Sequence, residues 1–180
     1  MNKGSSKTST NTSIKNNYNK NGNSKEAIIY FSTTGTTRTI AEYIKNYTNG
    51  DLIEITPKEK YTSSDLDYGN NDSRANKEQN NTNARPEIEN KIDISNYDVI
   101  YLGYPIWWGD VPKIILTFLD NNDLTGKKVI PFSTSHSSGM QTSLNTLKNY
   151  NNNIKWLDGK RFSSSSSQNE VNDWIKSVNK

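Results

Sequence analysis

The chain has no cysteine in its 180 residues. That excludes disulfide frameworks, thiolate metal sites and any cysteine nucleophile, and it leaves the redox compartment open. No apolar run approaches the roughly 18 residues that a membrane-spanning helix needs, so no membrane span is expected. The Walker pattern G-x-x-x-x-G-K-[ST] and the dinucleotide pattern G-x-G-x-x-G are both missing, which removes the two commonest nucleotide fingerprints. There is one histidine, His136, with no visible carboxylate or nucleophile partner, so no catalytic residue and no metal ligand set is expected. Residues 1–25 lack Asp and Glu altogether and have almost no apolar side chains, yet they carry five Lys and seven of the 27 Asn.

That last absence explains the charge. The formal net charge is +3, from 22 basic and 19 acidic residues. Without the five leading lysines the remainder has 17 basic against 19 acidic, near −2. The basic excess is therefore no argument for nucleic acid as a partner. With too little apolar area to offset the entropy of ordering, residues 1–25 read as a disordered leader. It is either an inert tail or a tether resembling the spacer after the anchored residue of some bacterial lipoproteins. No apolar segment of a secretory signal precedes Ala27, so the expected location is cytoplasmic, with an extracytoplasmic tethered form as the alternative. Residues 26–180 are the expected folded domain.

From Glu26 the pattern changes. Ala27-Ile28-Ile29-Tyr30-Phe31 is a continuous apolar run of strand length, the signature of a strand buried on both faces. A helix follows, capped by Thr36 or Thr37, with Ile40, Ala41, Ile44 and Tyr47 on one stripe and Asn49-Gly50 as its stop. Asp51 to Thr56 alternates as a second strand, closing a β-α-β unit suited to a parallel crossover. Residues 58–96 are polar and Asn-rich, with a helix expected between Leu66 and Gln79. Asp98 to Tyr104 is a third buried strand, and a helix starting at Pro112 turns Ile114, Ile115, Phe118 and Leu119 to the sheet. Lys128 to Ser133, Ser138 to Tyr150, Ile154 to Leu157 and Asn169 to Val178 complete the alternation as strand, helix, strand and helix. The class is α/β, with a parallel sheet covered on both faces.

In such sheets ligands sit beyond the carboxyl ends of the strands, which directs attention to three loops. The first, Ser32-Thr33-Thr34-Gly35-Thr36-Thr37, offers hydroxyls, a permissive Gly and the free amides of a helix start, an anion cradle without a Lys. Phe31 and Ser32 stand where a receiver domain would hold metal-binding carboxylates. The second, Tyr104-Pro105-Ile106-Trp107-Trp108-Gly109, has adjacent tryptophans whose side chains diverge in an extended loop. An aromatic plug under the next helix accounts for one of them, and the other has a face to offer a flat ligand. The third, Thr134-Ser135-His136-Ser137-Ser138-Gly139, supplies small polar groups and amides for the edge of a heterocycle. A terminal phosphate, a flat ring and a polar ring edge together describe FMN.

The segment S-T-T-G-T-T after a hydrophobic strand matches the [ST]-x-T-G-x-T phosphate loop of flavodoxins. With G-Y-P-I-W-W-G at 103–109, A-R-P at 84–86 and the Ser/Thr/Gly loop after P-F at 131–132, residues 26 to 178 resemble a bacterial flavodoxin-like subfamily. The resemblance implies a three-layer flavodoxin-like sandwich, with a five-stranded parallel sheet of order 2-1-3-4-5 and helices on both faces. It implies FMN, with phosphate on Ser32 to Thr37, the ring against Tyr104 to Gly109, and Thr134 to Gly139 along the opposite edge. Thr36 stands where the family often has Asn, and 62–83 matches poorly. The implied function is electron transfer between redox partner proteins. The alternative is an NAD(P)H-dependent quinone or flavin reductase acting on a small quinone or flavin acceptor. A carbonyl at Trp108-Gly109-Asp110 is the expected acceptor for the flavin N5 proton, with Gly109 letting that peptide reorient. Monomer and homodimer both remain open, since no heptad or exposed apolar stripe argues for association.

Overall fold

A strand that lies between two neighbours and under two helical layers must be apolar on both faces, and β1 (Glu26–Tyr30) is buried at all five positions. It pairs in parallel with β2 (Asp51–Glu54) on one side and β3 (Val99–Pro105) on the other. β3 pairs with β4 (Lys128–Thr134) over its whole length, Val99 opposite Lys128 and Pro105 opposite Thr134. Beyond β4 lie β5 (Lys155–Trp156) and β6 (Lys160–Phe162), both parallel to it. The order is β2-β1-β3-β4-β5, as the resemblance implies. This computed structural model describes residues 25–178, so the expected leader, apart from Lys25, lies outside the described residues.

Alternation along the strands sorts the core into two layers. Ala27, Ile29, Ile100 and Leu102 face one side, where they meet α3 (Lys113–Asn121) and α4 (Gln141–Tyr150) through Ile114, Ile115, Phe118 and Leu147. Ile28, Tyr30, Tyr101, Ile130 and Phe132 face the other, against Ile40, Ala41 and Ile44 of α1 (Thr36–Thr48) and Val171, Trp174 and Ile175 of α5 (Gln168–Val178). α3 has no side-chain cap. Burying Ile114, Ile115, Phe118 and Leu119 contributes about 1.5–3 kcal/mol each, more than a cap of about 1 kcal/mol would add.

Several boundaries differ from the sequence reading. The N-cap of α1 is Gly35 at φ 92, a left-handed conformation that neither Thr36 nor Thr37 adopts cheaply, and both threonines are helical. Asn49, at φ 58, ends the helix as expected. Pro112 is the N-cap of α3 at ψ 141, one residue ahead of the helix, and its carbonyl accepts from Ile115 N at 3.0 Å. α4 begins at Gln141, not Ser138, and the Ser138 carbonyl instead closes the preceding turn by accepting from Ser135 Oγ at 2.5 Å. The helix expected between Leu66 and Gln79 is instead a 3-10 turn (Ser64–Leu66) and a separate α2 (Arg74–Asn80). Between them Asp67 and Asn70 bind the amides of Gly69 and Asp72 with their own side chains, at 2.8 and 2.9 Å, which competes with helix.

The fifth strand position is split, and β6 has no counterpart in the sequence reading. Leu157 to Gly159 interrupts it beside Pro131 of β4, a residue with no N–H for the ladder. The chain stays close there: a Cβ on Gly159 would lie 2.6 Å from the Pro131 carbonyl oxygen.

Gly103 lies in β3 against the Phe132 ring, where a Cβ would fall 2.1 Å from Cζ. Gly103→Ala is expected to lower stability by about 1–3 kcal/mol through overpacking, read as a lower urea midpoint. Gly139→Ala, with open space around its Cβ, stays within about 0.5 kcal/mol.

Candidate functional site

The loops leaving β1, β3 and β4 converge at the carboxyl edge of the sheet around a cavity of about 360 Å³. Ser32 Oγ accepts from Gly35 N at 3.1 Å and curls the first loop. Thr33, Thr34 and Thr36 line the cavity, while Ser32 and Gly35 shape the loop that carries them. The first three amides of α1 have no acceptor within the helix, and Thr39 N is the first to bond back, to Gly35 O at 3.0 Å. Thr37 is buried and its Oγ1 pairs with Thr134 Oγ1 at 2.7 Å, so it ties β4 to the loop instead of facing the cavity.

In the second loop the tryptophans diverge as their adjacency requires. Trp107 turns inward, edge-on to Phe31 at 5.4 Å and Tyr61 at 5.1 Å. Trp108 turns out and stacks on Tyr68, ring centroids 4.2 Å apart. Both line the cavity, together with Pro105 and Ile106. Trp107 and Asp110 exchange two backbone hydrogen bonds of 2.9 Å, and Trp108 (φ 49) and Gly109 (φ 76) between them are both left-handed. This is a type I′ turn. A bulky residue such as Trp108 is rarely found there and needs support. The support comes from Gln79 of α2, whose Nε2 donates to Trp107 O at 3.0 Å and to Val111 O at 3.3 Å. Asp110 adds to it by accepting from Val111 N at 2.7 Å and Thr146 Oγ1 at 2.9 Å.

Tyr61 braces Trp107 from behind. Burial, then its hydrogen bond to Glu78 (2.6 Å), push the phenol well above its ordinary range, so it remains a neutral donor. Arg74 lies over the same ring at 4.1 Å and binds Glu78 at 2.7 Å. Arg85 of the A-R-P segment is also a strut: its Nε binds Asp120 at 2.7 Å and its other end donates to the Tyr150 hydroxyl at 3.1 Å.

Thr134, Ser135 and His136 line the cavity from the third loop. Ser137, Ser138 and Gly139 are exposed and do not line it. Tyr104 does not line it either. It is fully buried in the core layer of α3 and α4, with its hydroxyl 3.1 Å from Ser143 Oγ and its pKa raised by that burial. The alternation that turns Gly103 toward Phe132 in one core layer turns Tyr104 into the other, among the residues that meet α3 and α4.

Four lining residues escaped the sequence reading: Leu66, Tyr68, Ser163 and Ser164. Tyr68 was an isolated aromatic in a polar stretch, and it is 58% exposed. The Ser163–Ser164 pair opens a run of five serines after β6, a run of hydroxyls comparable to that in the first loop. Among the described residues no group of His, Cys, Asp and Glu is placed to hold a metal ion.

A doubly wound parallel sheet with an uncharged anion cradle and an aromatic wall at its carboxyl edge defines a cofactor-binding α/β protein. The flavodoxin family matches residues 25–178, and the chain belongs to it. Among solved structures, a protein of Bacteroides eggerthii assigned as a flavoprotein is 39% identical, with a TM-score of 0.83 over 88% of this chain and 99% of its own. One of Bacteroides uniformis, assigned likewise, is 38% identical, with a TM-score of 0.83 over 85% of this chain and 98% of its own. A Lactobacillus acidophilus flavoprotein in complex with FMN shares the fold at 24% identity, TM-score 0.65, over 87% of this chain and 99% of its own. No curated protein matches the chain.

Replacing Thr37 by Val strands the Thr134 hydroxyl in a buried position, an expected cost of about 1–3 kcal/mol. Thr37→Ser keeps the bond and should retain most of that stability, measured by urea unfolding of the two variants side by side.

Proposed function

We propose that the chain binds FMN in this cavity and serves as an electron-transfer flavoprotein. The observation that carries the reading is one continuous cavity joining a hydroxyl-lined helix N-terminus to an aromatic wall. Its volume of about 360 Å³ falls in the range of about 300–1,000 Å³ usual for cofactor-sized ligands. The donor set is neutral and suits a phosphate monoester held by Thr33, Thr34 and Thr36 and the first-turn amides of α1. Membership of the flavodoxin family and the FMN complex of the Lactobacillus acidophilus protein support the choice of cofactor.

When bound, FMN supplies the one- and two-electron chemistry. The residues supply position and polarity. Trp108 offers a stacking face, now covered by Tyr68 at 4.2 Å, so a ring seated on that face takes the place of Tyr68. Trp107 closes the cavity floor and keeps water from its inner side. Thr134, Ser135 and His136 line the cavity on the side of the ring edge, where the His136 amide is the donor not already engaged. The Trp108–Gly109 peptide lies at the apex of the type I′ turn, and we assign it the role of meeting the ring's N5 edge. Redox partner proteins are the proposed donors and acceptors.

A purified preparation should be yellow, with flavin absorption, and should release FMN on denaturation; a colourless protein that takes up no added FMN sinks the reading. Negligible NADH oxidation with a quinone is expected of a carrier, and rapid turnover would move the assignment to a reductase. At Gly109 the left-handed backbone, not the space around it, restricts substitution. Gly109→Ala costs about 1–2 kcal/mol in that conformation and is expected to shift the potential of bound FMN, as followed by potentiometry.

A further inference from the structure

The chain contains four arginines. Arg38 is paired with Glu54, Arg74 with Glu78 and Arg85 with Asp120. Arg161, half-buried in β6, has no carboxylate within ion-pair distance among the described residues. Its neighbours Lys160 and Phe162 turn toward α5 and the core, Lys160 binding Glu170 at 3.2 Å. Alternation turns Arg161 to the opposite face. There its Nη1 donates to the carbonyl of Ser135 at 3.1 Å and lies 3.4 Å from Ser135 Oγ.

Every polar atom of Ser135 is engaged in this way. Its N–H donates to Phe162 O at 3.2 Å, its hydroxyl to Ser138 O at 2.5 Å, and its carbonyl accepts from Arg161. In a trans peptide the carbonyl and the following N–H point in opposite directions. Holding Ser135 C=O against the guanidinium therefore directs the His136 N–H away from Arg161. That amide has no acceptor among the described residues, and both Ser135 and His136 line the cavity while Arg161 does not.

We propose that Arg161 is a positioning residue for the ring edge of the cofactor: it fixes the Ser135–His136 peptide so that the His136 amide donates into the cavity, and its uncompensated charge polarises that donor. The inference rests on the FMN reading above. Its consequence follows from the sign of the charge. Reduction adds electron density to the carbonyl and imide edge of the ring, so a cation behind the donor favours the reduced cofactor over the oxidised one. The effect is moderated by solvent, because Arg161 is only half-buried.

The test uses the full chain loaded with FMN, with Arg161→Gln and Arg161→Met as neutral variants and Arg161→Lys as the charge-retaining one. Potentiometry, affinities of the apoprotein for FMN and riboflavin, and urea unfolding are measured for each. The neutral variants are expected to lose about tenfold in preference for reduced over oxidised cofactor, a lowering of about 30 mV for a two-electron couple. Arg161→Lys should keep most of the wild-type potential, and any loss of affinity should be equal for riboflavin and FMN. A wild-type potential in both neutral variants overturns the proposal. So does a loss confined to FMN, which would assign Arg161 to the phosphate, or a shift in Arg161→Lys as large as in Arg161→Gln, which would make the role merely structural. If the wild-type chain itself binds no FMN, the functional reading fails first, so the two failures are distinguishable.

Discussion

Thr134 is the residue on which the three loops depend. Its hydroxyl meets Thr37 at the start of α1, its carbonyl accepts from Ile106 N at 2.9 Å in the loop after β3, and it opens the loop after β4. Each of these groups is at or near the end of a buried strand, where the ladder hydrogen bonds stop and backbone atoms would otherwise be left unpaired. Satisfying them internally draws the loops together. The cavity is the space left when the ends of three parallel strands complete their hydrogen bonding with one another.

The electrostatics of the site follow from what is kept out of it. Salt bridges such as Lys58–Glu87 at 2.5 Å and Lys176–Asp173 at 3.2 Å lie on exposed surface and contribute little. The better buried pair, Arg74 with Glu78, lies behind Tyr61, one ring removed from the cavity. The lining is threonine, serine and apolar carbon, aromatic and aliphatic, with the single histidine and no Asp, Glu, Lys or Arg. In such surroundings fixed dipoles are not swamped by mobile charge, so the orientation of individual peptides sets the local potential.

The buried strands and the helices that cover both faces of the sheet were legible because continuous apolar runs and 3.6-residue stripes report burial directly, whereas the strand order came from the resemblance to flavodoxins. That the three loops meet was legible too, since the carboxyl ends of neighbouring strands lie together in a parallel sheet, and residues of all three line the cavity. The differences have separate causes. Tyr104 adjoins Pro105 in sequence, yet strand alternation carries its side chain to the core and not to the cavity. Tyr68 carries no signal in the sequence because its partner, Trp108, is forty residues away and the excursion between has too few apolar anchors to show its path. β6 was invisible because three residues, Lys160 to Phe162, are too short to show alternation, and with it went Ser163 and Ser164. Ser137, Ser138 and Gly139 continue the same polar loop in sequence, but the turn closed by Ser135 and Ser138 leaves them exposed and outside the cavity lining.

The interruption of the fifth strand position bears on how the molecule coexists with copies of itself. A parallel sheet with an uncovered outer strand offers a row of unpaired backbone groups to any passing chain. Here that row is two residues of β5 and three of β6, separated by the turn of Leu157 to Gly159 and carrying lysines at positions 155 and 160. An incoming strand would lose its register after two or three pairs and would meet the exposed charge of Lys155 at the start of the row. The same break that obscured β6 in the sequence thus shields the sheet's outer margin from self-templating.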